Sequence, residues 1–135
     1  MYNTREEKVK VLTNMILEQA RLFLNDAGEF YPFGSIIDTN HNLRPIGAFF
    51  EDEYPNSAEV LNILEDRLKE GIRNNEYLMA AIGLDVFMNI KEKDEIIRKT
   101  ALEVRIYESE NITYSSTYFL YFLKDNEYFF ELYNE

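Results

Sequence analysis

The residues able to do acid–base or ligand chemistry are few and scattered along the chain. His41 is the only histidine, and there is no cysteine. A chain without cysteine has no thiol nucleophile, no disulfide framework and no thiolate metal site. A single imidazole cannot supply the spaced histidines of a zinc centre. General-base work stays open to His41, but the polar turn Thr39-Asn40-His41-Asn42 accounts for the residue. Glu51-Asp52-Glu53 offers oxygen ligands to Mg²⁺ or Ca²⁺. It lacks the alternating Asp/Asn and central Gly of an EF-hand loop, and reads as a solvated acidic connector. Glu29, Asp38, Asp85 and Glu103 lie in or beside expected strands, where carboxylates pair for acid–base work. Ser35, Ser115 and Ser116 have no Gly-x-Ser-x-Gly elbow around them, and no glycine-rich phosphate loop occurs. No catalytic, cofactor-binding or metal-ligating residue is assigned, and a non-enzymatic role is expected.

The aromatic residues carry more information. Ten Tyr and ten Phe occur in 135 residues, and the C-terminal part carries them on both faces of its expected strands. One face is needed for a core; the other requires a helix, a subunit or a ligand to cover it. Stacking of nucleic-acid bases would need cations nearby, and Lys124 is the only one within residues 112–135. The net charge of −11 also opposes contact with phosphate backbones, and no nucleic acid is expected. Tyr31, Phe33, Tyr118, Phe119, Tyr121 and Phe129 are the candidate surface for a protein partner, a second copy or a small ligand. The acidity of the chain is first of all what solubility asks for, and it also suits a basic partner.

The elements that must position these residues follow from patterning. The length fits a single domain over 1–135, and 46% apolar content is a folding composition. No apolar run approaches the roughly 18–20 residues that span a bilayer, and the charged start lacks a signal-peptide core. A cytoplasmic protein with no membrane contact is expected. Thr4 and Glu7 form a capping box, each side chain reaching the other's backbone N–H. Val9, Leu12, Ile16 and Phe23 then line a helix, with Val11, Met15 and Leu22 beside them, until Gly28 stops it. A first strand begins at Pro32 or has an edge there, Gly34 marks a bulge or close approach, and residues 43–50 return as its hairpin partner. Phe30, Tyr31 and Phe33 anchor the helix to that strand.

Asn56 caps a second helix with Leu61, Leu64, Leu68 and Ile72 inward, Val60 and Ile63 beside them, and Glu65 on the solvated side. Residues 77–90 alternate strictly, which reads as a third strand. A charged connection over 91–98 leads to a fourth, with Leu102, Val104 and Ile106 inward and Glu103, Arg105 and Tyr107 on the other face. A symmetric connection places Asp85 opposite Arg105 and Val86 opposite Val104. Residues 112–123 and 127–133 complete a meander. The fold class is α+β: helix, β-hairpin, helix, then antiparallel meander, in one mainly antiparallel sheet of five or six strands with helices packed on it. This element order resembles that of roadblock and profilin-like folds.

Glu29-Phe30-Tyr31-Pro32-Phe33-Gly34 resembles the opening motif of a family of small bacterial proteins with no assigned activity. Pro55-Asn56-Ser57-Ala58-Glu59 is similar to that family's start of a second helix, and residues 80–86 to its central strand. Relatives tend to carry Asp-Ala-Ile where this chain has Thr100-Ala101-Leu102, and Glu-His where it has Tyr107-Glu108. Chemistry resting on that Asp and His is therefore not expected here. Some proteins of this size and type are immunity or accessory proteins of toxins, and the resemblance implies an interaction role of that kind.

Overall fold

The computed structural model describes residues 2–47, 56–108 and 114–134. Helix α1 (Arg5–Ala27) is capped by Thr4, whose Oγ1 accepts the Glu7 N–H at 3.1 Å. The Glu7 carboxylate reaches back to the N–H of Asn3 at 3.1 Å, one residue beyond the expected box. Gly28 ends the helix at φ 73°, a left-handed geometry that costs glycine little, and its N–H donates to the Leu24 carbonyl at 2.8 Å. Leu12, Ile16, Ala20 and Leu24 are buried along one row. The expected stripe ran instead through Phe23, with Leu22 beside it. Leu22 is 66% exposed, because the small Ala20 continues the four-residue step and carries the row on to Leu24.

Six strands follow the order β2-β1-β3-β4-β5-β6, every pairing antiparallel. They are β1 (Phe33–Asp38), β2 (Leu43–Ile46), β3 (Tyr77–Glu92), β4 (Glu95–Tyr107), β5 (Ser115–Lys124) and β6 (Glu127–Leu132). β1 begins directly after Pro32, as the missing proline N–H requires. The expected strands over 43–50 and 112–123 are seen within the described residues as β2 and β5; the remainder lies outside them, as does Glu51-Asp52-Glu53. At the β1–β2 turn, Asp38 Oδ1 accepts the N–H groups of Asn40 and Asn42, both at 2.9 Å. Gly34 is a close approach: a Cβ there would meet Ile46 Cγ2 at 2.9 Å and the Ala81 carbonyl at 3.0 Å. The register irregularity of this strand falls between Ile37 and Asp38.

Helix α2 (Ser57–Arg73) is capped by Asn56, whose side chain accepts the Ala58 N–H at 2.8 Å, and ends at Asn74. Val60, Leu64 and Leu68 are buried, whereas Ile63 is exposed. The two helices cover opposite faces of the sheet. α1 packs on Phe33, Ile37, Met79, Ala81, Leu102 and Val104. α2 packs on Ile36, Ala80, Ile82 and Leu84. Strand β3 is therefore buried on both sides from Met79 to Leu84, which is why both of its alternating sets are apolar.

That two-sided burial goes with a corrected register. Asp85 pairs with Leu102, Val86 with Ala101 and Ile82 with Arg105, so the expected Asp85–Arg105 and Val86–Val104 pairs do not form. The charged stretch over 91–98 is ladder rather than loop. Only Lys93 and Asp94 turn the chain, with φ 47° and 67°, the geometry of a tight two-residue hairpin. The ladder therefore runs on to Glu92–Glu95, and the pairing differs from the expected one by an odd number of residues, which exchanges faces.

Candidate functional site

The β5–β6 hairpin turns at Asp125 and Asn126, with φ 52° and 65°. Its side chains alternate between faces, and this separates the candidate residues. Phe119, Tyr121 and Phe130 point toward α1 and pack against its core cluster. Tyr118, Phe122 and Phe129 stand on the other face, beyond the strands that α2 covers. Phe122 and Phe129 are a registered cross-strand pair, stacked at 5.8 Å with rings 21° apart, and are 45% and 42% exposed. Exposed Leu123 and Leu132 belong to the opposite, α1-side set of the same hairpin, as do Phe87 and Ile96 on β3 and β4, so the open stack on the other face is made by Phe122 and Phe129. Of the candidate residues, Phe129 is thus at an open surface, and Phe119 and Tyr121 are core neighbours. Phe122 was missed as a candidate; its cross-strand register to Phe129 is the signal that would have found it.

Tyr31 and Phe33 belong to a second place. The segment 29–32 forms the wall between two clefts of about 350 and 340 Å³. Phe33 is buried in the first, with its ring edge-on to Phe23 at 5.1 Å and to Phe30 at 5.5 Å. Tyr31 is 45% exposed, and the ring contacts of the expected link from α1 to the sheet are made by Phe30 and Phe33. Asp85 and Leu84 line the second cleft from the floor of β3. Tyr121 donates its hydroxyl to Asp85 Oδ1 at 2.7 Å. Desolvation raises the Asp85 pKa, the Tyr121 hydroxyl opposes the rise, and Glu29 adds to it as a neighbouring negative charge. Of the candidate carboxylates, Glu29 and Asp85 line one cleft, and Glu29 shares the other with Asp26. Tyr118 lies across the sheet from Tyr121, not in either cleft.

The remaining polar candidates are structural. Glu103 is 5% exposed, and Tyr107 is fully buried, where the pattern had placed both on an open face. Arg105 Nε donates to Glu103 Oε2 at 3.0 Å, Ser116 Oγ donates to the same oxygen at 2.7 Å, and Tyr107 donates to Glu65 Oε2 at 2.8 Å. Desolvation, followed by the hydrogen bond to Glu65, pushes the Tyr107 pKa up. Arg105 also lies 4.1 Å from the centre of the Tyr114 ring. This network joins α2 to β4 and β5 with its polar groups satisfied. Glu65 therefore faces the sheet rather than solvent. Ser35 is buried and donates to Gln19 at 2.7 Å. Asp38 is held below the ordinary carboxylate range chiefly by the Asn42 N–H. His41 sits in the β1–β2 turn at φ 64°, with a buried Nδ1 that has no hydrogen-bond partner among the described residues.

Among the described residues, no group of three or more His, Asp or Glu side chains is arranged to hold a metal ion. Nor is any described helix long and apolar enough to cross a membrane. Compared with known proteins, the chain matches no family model, no curated protein and no solved structure.

Proposed function

We propose that this protein is a non-enzymatic protein-interaction module that binds through the aromatic end of its sheet. The observation that supports the reading is the stacked, half-exposed Phe122–Phe129 pair, on α2's side of the sheet but beyond the strands that α2 covers. Stacked aromatics bury large area at low entropic cost, and such residues dominate the energetics of interfaces. An acidic rim supplied by Glu127 and Glu131 suits a basic protein, and an immunity-type inhibitor of a basic toxin is one form this role takes. Self-association is the other form, read by sedimentation. Capture from native lysate by the wild type and by Phe122→Ser/Phe129→Ser tests the reading. Partners retained by the wild type and lost by the variant support it; equal capture by both contradicts it.

The cleft beside Tyr31 supports a second reading, small-ligand binding, because its wall is chiefly apolar and it has the volume of a ligand site. A thermal-shift screen of metabolites reads it out. A ligand of this cleft raises the melting temperature of wild type and not of Tyr31→Ala.

A further inference from the structure

The two edges of the sheet are unlike. β2 is four residues long and carries Arg44 and Pro45, the devices that blunt an edge against pairing. β6 is longer and has no proline, and its charges are the carboxylates of Glu127 and Glu131, in Glu127-Tyr128-Phe129-Phe130-Glu131-Leu132. Its ladder shows which backbone groups are open. Tyr133 N–H donates to the Tyr118 carbonyl at 2.9 Å, so odd-numbered residues face β5 and the even ones face outward. Arg21 Nε touches the outward carbonyl of Tyr128 at 3.4 Å. Phe130 and Leu132 have no strand partner on that side among the described residues.

We infer that the β6 edge takes up an extended basic segment of a partner protein as a seventh strand, deepening the interaction reading above, on which it rests. The face beside the Phe122–Phe129 stack presents Glu127, Phe129 and Glu131 along the edge, a carboxylate, an aromatic ring and a second carboxylate. Lys124 stands opposite Glu127 across the hairpin, and Glu131 stands opposite Leu120. An added strand with cations flanking an apolar residue matches this row, since side chains of one strand meet those of the next at period two. A second copy of this chain fits poorly. It brings its own Glu127 and Glu131 to the same strip, on a chain whose net charge is −11.

The test uses the full chain and a labelled peptide containing Lys-Thr-Val-Thr-Lys, whose alternate positions put lysine, valine and lysine on one face. Controls are its glutamate-for-lysine counterpart and a scramble that breaks the alternation. The expected result is saturable binding of the alternating basic peptide alone, with amide shifts concentrated at Tyr128, Phe130 and Leu132. Leu132→Pro removes an outward N–H without touching the β5 ladder, and it abolishes binding. Glu127→Lys/Glu131→Lys, a surface change, weakens binding by about tenfold or more. Equal binding of basic and acidic peptides, or shifts confined to the cleft around 29–32, would overturn the inference. So would undiminished binding by a folded Leu132→Pro or by the charge-reversed variant, or a dimer formed through β6 in place of peptide binding. If the peptide fails while partner capture still depends on Phe122 and Phe129, strand addition is wrong and the interaction reading stands. If capture fails as well, both fall.

Discussion

Arg105 shows how a charge can be held in the fold. Its guanidinium lies between Glu103 at 3.0 Å and Glu65 at 4.0 Å, with only 16% of the side chain exposed. Removing it strands a carboxylate that is almost fully buried. Arg105→Met is expected to cost about 3 kcal/mol in urea unfolding, and Glu103→Leu/Arg105→Met to recover much of that loss. Asp85 responds in the opposite sense to pH. Its native pKa is raised above the ordinary 3.8, so the native state favours the protonated carboxyl. That contribution is fully present below the ordinary value and is lost as pH rises through the native one. Asp85→Asn keeps an acceptor for Tyr121 and removes the titration. It should be more stable than wild type at neutral pH by less than about 1 kcal/mol, the carboxyl being well exposed, with the gap closing in acid. A gap that widens on acidification would refute this. At this scale Gly28, Asn56 and Pro32 were legible, because each acts through its own backbone. Glu103 and Tyr107 were not, because their burial depends on Glu65 and Ser116, distant in sequence.

At the scale of elements, the helices and hairpins were legible, and the register of β3 on β4 was not. Alternation identifies a strand but cannot fix its pairing when both faces are apolar, as they are from Met79 to Leu84. The turn decides the register, and Lys93-Asp94 lacks the Asn-Gly signature that announces a tight hairpin. Helix α1 lies close to the sheet above Gly83. A Cβ at that glycine would meet Phe33 Cζ at 2.7 Å and Ile16 Cγ2 at 2.8 Å. Gly83→Ala should therefore destabilise the fold by about 1–3 kcal/mol through overpacking, read by chemical denaturation. An unchanged midpoint would mean that α1 shifts without cost.

For the whole molecule, the sheet is wider than the two helices that cover it. α1 and α2 bury opposite faces of its β1–β3–β4 part, and the surplus aromatics collect on the β5–β6 hairpin. The sequence announced a surplus aromatic face, since Tyr and Phe occupy both alternating sets of these strands. It could not say which rings would be covered, because that depends on where α1 crosses the sheet. Phe130 is drawn under α1, with the Arg21 guanidinium 5.4 Å from its ring centre, while Phe129 next to it is left open. The most direct test of the interaction role is titration calorimetry of a captured partner against wild type and Phe122→Ser/Phe129→Ser. Central aromatic anchors are worth at least about 2 kcal/mol each, so losing the pair should weaken binding by about a hundredfold or more, with the fold intact by circular dichroism. An affinity unchanged by the double substitution would contradict the account.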